Sequence, residues 1–312
     1  MLRMRKKLYW LLSALLISMW CHYVWLRVGK PPMNDEARVK FGKKSIALSA
    51  GKTAFEYSEG EGQAVVLVHG FSIPSVIWDN TYRALVSAGF KVLRYDLYGR
   101  GFSDRPAVKY SADLFVGQLK ELTDELIGSE KFVLCGLSMG GAISVQFTDR
   151  YPDRVEKLIL IDPAGFPMPM PAAARLVKLP VIGDYAGRIL ARKAMAKSLP
   201  LNFTGSVPPA VEAAGLIQTD FAGYDDAIVS TLRHMNLTDL KSTYESVGRR
   251  KIKTLLLWGK HDQVVPYAHA DSVRAAIPGA KFVSFAKSGH IPTVDEKDKA
   301  NRAILSFLGI ED

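Results

Sequence analysis

The chain has 312 residues, of which 48% are hydrophobic and 23% charged, so it can bury a normal core and is not a disordered protein. Its net charge is +10, but ten basic and two acidic side chains lie within residues 1–44, which leaves +2 for the rest. Basic charge beside an apolar segment favours a membrane surface over nucleic acid as partner. The two cysteines, Cys21 and Cys135, lie in apolar runs without metal-binding spacing, which predicts neither a disulfide nor a metal site.

Residues 8–26 form a run without Asp, Glu, Lys or Arg, and its length is close to the ~20 residues that a helix needs to cross a bilayer. Aromatic side chains near both ends fit the two membrane interfaces. A cleaved signal peptide is the alternative, but the run is long for one and no small-residue cleavage site follows it. We predict an uncleaved single-pass anchor over residues 1–29. Basic residues flank both ends, so the sequence leaves the side of the membrane open.

Residues 30–45 are predicted to form a polar, basic linker to a domain that spans residues 46–312. In this domain, apolar runs alternate with longer amphipathic stretches. The runs cover residues 64–70, 91–96, 131–136, 157–162, 254–259 and 281–286, and the stretches cover residues 111–128, 138–151, 267–277 and 296–309. Strands that are apolar on both faces and alternate with helices predict a mostly parallel, doubly wound α/β sheet. Residues near 38–57 are predicted to add an antiparallel hairpin.

Between Ile161 and Thr254 the pattern is helical, which predicts a helical cap at roughly residues 164–238, inserted over the strand ends. Within it, residues 171–200 carry six basic side chains and one acidic side chain among apolar residues. Such a stripe can rest on an anionic bilayer, or it can be the solvated outer face of the cap. The sequence supports both interpretations equally.

The strongest chemical signal is the pentapeptide Gly136-Leu137-Ser138-Met139-Gly140, which follows a predicted strand and opens a predicted helix. G-x-S-x-G in this context is a nucleophile elbow, a turn so sharp that only small residues fit two positions before and after the serine. A chance glycine-rich turn is the alternative for the pentapeptide alone. The strand before it and the helix after it favour Ser138 as a nucleophile.

A serine nucleophile needs a base, and the base needs an orienting acid. Asp262 and His290 each follow a predicted strand, in the order Ser, Asp, His that this architecture uses, so we predict them as acid and base. Asp162 also ends a strand and is the rival acid, although a local backbone cap is its simpler role. The other histidines are predicted to be structural or solvated: His22, His69, His234, His261 and His269.

The loop His69-Gly70-Phe71 follows the first strong strand. In this architecture a backbone N–H of that loop joins the N–H after the nucleophile to form the oxyanion hole. We therefore predict that the N–H groups of Phe71 and Met139 bind the oxyanion. A plain strand-to-helix turn is the alternative.

These segments resemble the α/β-hydrolase superfamily, in particular its esterase, lipase and C–C hydrolase branch. The matching segments are LVHGF (67–71), DLYGRGFSDRP (96–106), GLSMGGAIS (136–144), YPDRVEKLILIDPAG (151–165), LLLWGKHDQVVP (255–266) and SGHIPTVDE (288–296). The anchored, capped arrangement is similar to membrane-anchored esterases and monoacylglycerol lipases. The resemblance implies a covalent acyl-enzyme formed on Ser138, a cap over the pocket, and no need for a metal or organic cofactor.

The sequence thus predicts a serine carboxylic ester hydrolase, an esterase or lipase with monoacylglycerol lipase among the candidates, whose substrate is a small-molecule or lipid ester. One alternative is a C–C bond hydrolase of ring-cleavage dienoate products, for which a membrane tether has no evident use. Another is a non-catalytic binding protein of the same fold, against which the intact Ser138, Asp262 and His290 argue. The expected location is the membrane. The natural ester and the oligomeric state stay open.

Overall fold

The structure, a computed structural model, describes residues 2–168, 175 and 177–310. Its strands are β1 (Lys44–Leu48), β2 (Gly51–Ser58), β3 (Ala64–Val68), β4 (Lys91–Tyr95), β5 (Phe132–Leu137), β6 (Val155–Ile161), β7 (Lys253–Gly259) and β8 (Lys281–Phe285). Its helices are α1 (Leu2–Val28), α2 (Asp35–Lys40), α3 (Asp79–Ser87), α4 (Ala112–Ile127), α5 (Met139–Arg150), α6 (Ile182–Ser198), α7 (Pro209–Ile217), α8 (Tyr224–His234), α9 (Lys241–Arg249), α10 (His269–Ala276), α11 (Pro292–Asp295) and α12 (Lys297–Leu308).

The strands form one eight-stranded sheet in the order β1-β2-β4-β3-β5-β6-β7-β8. The pairs β1–β2 and β2–β4 are antiparallel, and every later pair is parallel. The predicted fold, a mostly parallel α/β sheet with a leading hairpin, is confirmed. After β3 the chain adds β4 on one side of β3 and then β5 on the other, so the strand order reverses at β3. The loops that follow the parallel strands lie at one edge of the sheet, and such sheets bind ligands at this edge next to the reversal.

Alternation along the central strands divides the core into two layers. In β3, Val66 and Val68 face one layer, which α4, α5, α9 and α10 cover, whereas Val65 and Leu67 face the other. Helices α3 and α12 cover this second layer. All five residues of β3 and all six of β5 are buried, as expected for strands between two helix layers.

Helices α6, α7 and α8 lie in the stretch for which a cap was predicted, and part of that stretch, residues 169–174 and 176, falls outside the described residues. The basic stripe predicted there is partly neutralised within the cap itself. Arg188 of α6 forms a bidentate pair with Asp226 of α8, and Arg192 pairs with Asp220. These pairs explain part of the charge without a bilayer.

In the described part of the chain, one helix is long and apolar enough to cross a membrane, from Arg5 to Trp25 within α1. The C-terminal end of α1 and the residues just after it contact the cap. The Arg188 guanidinium lies 3.7 Å from the centroid of the Tyr23 ring, and Lys30 Nζ lies 2.7 Å from Asp225 Oδ2. Helix α1 therefore packs against helix α6 of the cap.

The segment predicted as a linker contains the short helix α2, whose first turn is capped by the Asn34 side chain. Arg38 in this helix is buried, donates to the Phe102 carbonyl at 2.9 Å, and pairs with Asp104. The segment therefore lies against the domain. The sequence pattern does not reveal this packing, because two partners of Arg38, Phe102 and Asp104, lie more than 60 residues further along the chain.

Candidate active site

Ser138 occupies the turn between β5 and α5 with φ 56° and ψ −118°, a conformation that non-glycine residues rarely adopt. A Cβ on Gly136 would lie 2.3 Å from the Gly140 carbonyl oxygen, and one on Gly140 would lie 2.1 Å from that of Val68. Both glycines are therefore required for the close approach of β5, α5 and β3. The serine itself is 8% exposed and opens to a cavity at the sheet edge.

His290 and Asp262 meet at this edge from the loops after β8 and β7. His290 Nδ1 lies 2.7 Å from Asp262 Oδ2, and both side chains are almost fully buried. The second Asp262 oxygen accepts the N–H groups of Val264 and Val265 at 2.7 and 2.9 Å. These bonds hold the carboxylate in place, and the carboxylate orients the imidazole through Nδ1. Nε2 is left free for the reaction, and His290 lines the same cavity as Ser138.

The predicted oxyanion loop lies directly against the nucleophile. A Cβ on Gly70 would lie 3.2 Å from Ser138 Cβ, so the loop passes at van der Waals distance. Met139 is the first residue of α5, and a first-turn N–H has no partner inside its helix. Phe71 lines the cavity beside Ser138. The structure thus places both Phe71 and the Met139 N–H beside the serine.

A buried hydrogen-bond network holds this loop in place. His69 Nδ1 donates to the Gly70 carbonyl at 2.9 Å, and its Nε2 accepts the Leu97 N–H at 2.9 Å. Burial lowers the pKa of His69 to about 4. Asp96 accepts two bonds from Ser75 and one from the Phe102 N–H. His69 is therefore a neutral structural residue, in keeping with its position outside the predicted triad.

The remaining histidines do not line the cavity in the described structure. His22 shares a hydrogen bond with Tyr185 of the cap, and His261 donates its backbone N–H to Ser288. His269 opens α10, and burial lowers its pKa. Asp162, the rival acid, is buried beneath the His290–Asp262 pair and does not line the cavity either. The catalytic roles of the selected residues stay predictions, and the structure adds their placement.

The cavity has a volume of about 380 Å³, and the cap supplies one side of it. The lining residues are Gly70, Phe71, Ser72, Ile73, Leu137, Ser138, Ala191, Ala194, Met195, Ser198, Leu201, Asn202, Tyr224, Ile228, Gln263, Val264, His290 and Ile291. The cap residues among them were not predicted from the sequence. Their spacing along α6, at Ala191, Ala194, Met195 and Ser198, is one face of a helix, but nothing local shows what that face covers.

A nucleophile elbow, a buried His–Asp pair and an apolar cavity at the edge of this sheet define the hydrolase class of α/β proteins. The family model described as "Alpha/beta hydrolase family" matches residues 65–303. The chain therefore belongs to the alpha/beta hydrolase family.

Three known proteins illustrate what the chain is similar to. A 2-hydroxy-6-oxononadienedioate/2-hydroxy-6-oxononatrienedioate hydrolase of Comamonas testosteroni is 30% identical over 264 residues, which cover 80% of this chain and 88% of the relative. An esterase of Exiguobacterium antarcticum superposes with a TM-score of 0.73 at 23% identity, covering 86% of this chain and 99% of its own. A membrane phospholipase A described as a bacterial virulence factor superposes with a TM-score of 0.70 at 22% identity, covering 99% and 98%.

Proposed function

We propose that the protein is a serine hydrolase of neutral carboxylic esters with an apolar acyl chain, tethered to a membrane by α1. In this proposal Ser138 is the nucleophile, His290 the base, and Asp262 the acid that orients His290. The N–H groups of Phe71 and Met139 bind the oxyanion. The proposal rests on the placement of Phe71, Ser138 and His290 around one cavity and on the hydrogen bond between His290 and Asp262.

The chemistry follows from that placement. His290 Nε2 takes the proton of Ser138 Oγ as this oxygen bonds to the ester carbonyl carbon, and the carbonyl oxygen becomes an anion held by two N–H groups. The carbon–oxygen bond to the alcohol then breaks, and His290 returns the proton to the leaving alkoxide. Water, deprotonated by His290, cleaves the acyl-enzyme in the same way. Asp262 stabilises the imidazolium through the bond to Nδ1.

The single observation that carries the substrate class is the cavity wall. Among the described residues that line it, His290 and Tyr224 carry the ionisable side chains, an imidazole and a phenol, and there is no carboxylate, ammonium or guanidinium group. The cap residues outside the described ranges, at 169–174 and 176, carry no charged side chain either. Burying a carboxylate without a cationic partner costs several kcal/mol. Neutral apolar esters therefore suit this cavity better than dianionic acids do.

The second candidate is a C–C hydrolase of ring-cleavage products, and the 30% identity to a dienedioate hydrolase favours it. Both reactions use a serine hydrolase site. They differ in the charge of the substrate, since a ring-cleavage dienoate carries one carboxylate and a dienedioate two, whereas the ester is neutral.

Membrane attachment is proposed from α1 and is compatible with one solved neighbour. The phospholipase similarity covers 99% of the chain, which necessarily includes most of α1, whereas the esterase similarity covers 86%. That neighbour is named a membrane enzyme acting on phospholipids. Lipid esters are accordingly the natural extension of the apolar-ester proposal. The similarity shows the fold, and the ester assignment depends on the cavity.

The test compares substrates at one site. The full-length protein in detergent is assayed for kcat/KM on p-nitrophenyl esters from acetyl to decanoyl, on monoacylglycerols, and on a 2-hydroxy-6-oxo-dienoate, with Ser138→Ala as the blank. We expect kcat/KM to rise by roughly fourfold per added methylene until the cavity is full, since each buried methylene contributes about 0.8 kcal/mol. We expect the dienoate to be the poorest substrate. Faster turnover of the dienoate than of every ester would refute the proposal and establish the second candidate.

A further inference from the structure

Asp162 occupies the centre of the sheet edge. It follows β6, between the ends of β5 and β7, with its N–H donated to the Leu257 carbonyl at 3.0 Å. It is 0% exposed and has φ 42°. The preceding carbonyl, that of Ile161, accepts the N–H of Ser138 at 2.9 Å. The residue is thus bonded into the strands that carry the nucleophile and the acid.

The Asp162 carboxyl has one satisfied oxygen and one that lacks a partner. Oδ1 accepts the Gly259 N–H at 2.9 Å. Oδ2 is buried and accepts no hydrogen bond from any described residue. A buried polar atom without a partner is uncommon and calls for an explanation. A proton on this oxygen would turn the unsatisfied acceptor into a donor.

The acceptor for such a donor lies within reach. One ligand atom each of Asp162, Asp262 and His290 all lie within 4.8 Å of one another. The charged and titratable groups that act on Asp162 are Asp262, His290 and, further away, Asp295. Burial, and then the negative charge of Asp262, raise the pKa of the Asp162 carboxyl well above its ordinary value. Two adjacent buried carboxyls share one negative charge when one of them keeps its proton.

We propose that Asp162 is a positioning residue that stays protonated and donates its Oδ2 hydrogen to the Asp262 carboxylate. The inference rests on the proposed role of Asp262. The donated bond, together with the N–H groups of Val264 and Val265, holds the acid toward His290 Nδ1. A protonated Asp162 also leaves a single negative charge next to the imidazole. A second negative charge would raise the pKa of the His290 imidazolium and make it slower to release its proton. Asp162 is therefore a partner of Asp262 rather than its rival.

Two substitutions separate a neutral donor from an anion. Asp162→Ala removes both bonds. Asp162→Asn keeps an acceptor for the Gly259 N–H, supplies an uncharged N–H donor to Asp262, and tolerates positive φ. We expect Ala to lower kcat by at least about tenfold with little change in KM for a soluble short-chain ester, because a displaced acid misorients His290. We expect Asn to restore kcat to within about threefold of the wild type.

The pH profile of kcat/KM gives the decisive readout, since its acidic limb reports the base of the free enzyme. With a neutral Asp162, Asn leaves the charge unchanged and the limb stays in place. With an ionised Asp162, Asn removes a negative charge beside His290, the pKa of the imidazolium falls, and the limb moves down by about one pH unit or more. That shift would overturn the proposal. If the Ala variant does not fold, the Asn profile still decides.

Failure of this inference is distinguishable from failure of the proposed function. Wild-type protein that does not hydrolyse esters contradicts the ester assignment, whatever the Asp162 variants do. Wild-type protein that hydrolyses esters, together with an Asn variant as impaired as the Ala variant, contradicts the role of Asp162 alone.

Discussion

Helix α6 forms a wall of the cavity, so enlarging a side chain on its inner face should shorten the acyl chain that the site accepts. Ala191 lines the cavity and Ala196, on the same helix, is exposed and does not. Ala191→Phe is the perturbation and Ala196→Phe the matched control, because both carry the same small helix-propensity cost. An added ring occupies on the order of 100 Å³, since a cavity of about 150 Å³ holds benzene. The cavity has about 380 Å³.

If the ring displaces three methylenes of a bound octanoyl chain, the lost burial is about 2.4 kcal/mol, or roughly 60-fold in kcat/KM. The acetyl ester, which does not reach the ring, should be hydrolysed within about threefold of the wild-type rate. The assay is kcat/KM on the acetyl and octanoyl p-nitrophenyl esters. An equal loss on both esters, or an equal effect of Ala196→Phe, would refute the assignment of this cavity as the acyl site.

Three further predictions concern the elbow, the acid sensitivity and the anchor. Gly140→Ala should abolish activity and lower Tm strongly, because its Cβ would lie 2.1 Å from the Val68 carbonyl oxygen. Gly117→Ala in α4 is the control, since a Cβ there meets nothing within 4 Å. It should leave activity intact and raise the free energy of unfolding by about 0.5–1 kcal/mol. Burial lowers the pKa of His69 from 6.5 to about 4, so between these two pH values His69 is protonated in the unfolded chain but not in the folded one. The free energy of unfolding should therefore fall by about 3 kcal/mol as the pH drops through this range. Denaturation of His69→Asn over the same range should show a smaller fall in the free energy of unfolding. In the full chain Asp225→Asn should lower Tm by about 2 °C or more, because Lys30, which follows α1, loses its partner. In a chain that begins at residue 31 the same substitution should raise Tm, since burial, which raises the pKa of Asp225, is then no longer opposed by the Lys30 ammonium. Equal signs in the two chains would contradict the contact of Lys30 with the cap.

The parallel strands were predictable to within one or two residues because they read as apolar runs, and those at the centre of the sheet, such as β3 and β5, are buried on both faces. The run predicted at residues 131–136 is β5 at Phe132–Leu137, and the run at 281–286 is β8 at Lys281–Phe285. The candidate site was predictable for the same reason. Each selected residue lies one to five residues past the end of a strand, and the ends of parallel strands meet at one edge of the sheet.

Features that depend on long-range contacts could not be predicted. Arg38 reads as a solvated linker residue, yet it is buried because Asp104 and the Phe102 carbonyl meet it after the chain has folded. Asp162 reads as a local cap or a rival acid. Its environment exists only once β6 and β7 lie side by side and bring Asp262 against it. Likewise, the amphipathic pattern of α6 predicts a helix without indicating which face covers the serine.

The central claim is that Ser138 is an activated nucleophile in an ester-accepting cavity. The most direct measurement treats the full-length protein with a fluorophosphonate and locates the adduct by peptide mass spectrometry. We predict one phosphonylated residue, Ser138. Labelling should be slowed by an octanoyl ester and absent in Ser138→Ala, whose fold is checked by circular dichroism. A wild-type protein that is folded but not labelled, or an adduct that persists undiminished in Ser138→Ala, would contradict it and favour a non-catalytic binding protein or a different nucleophile.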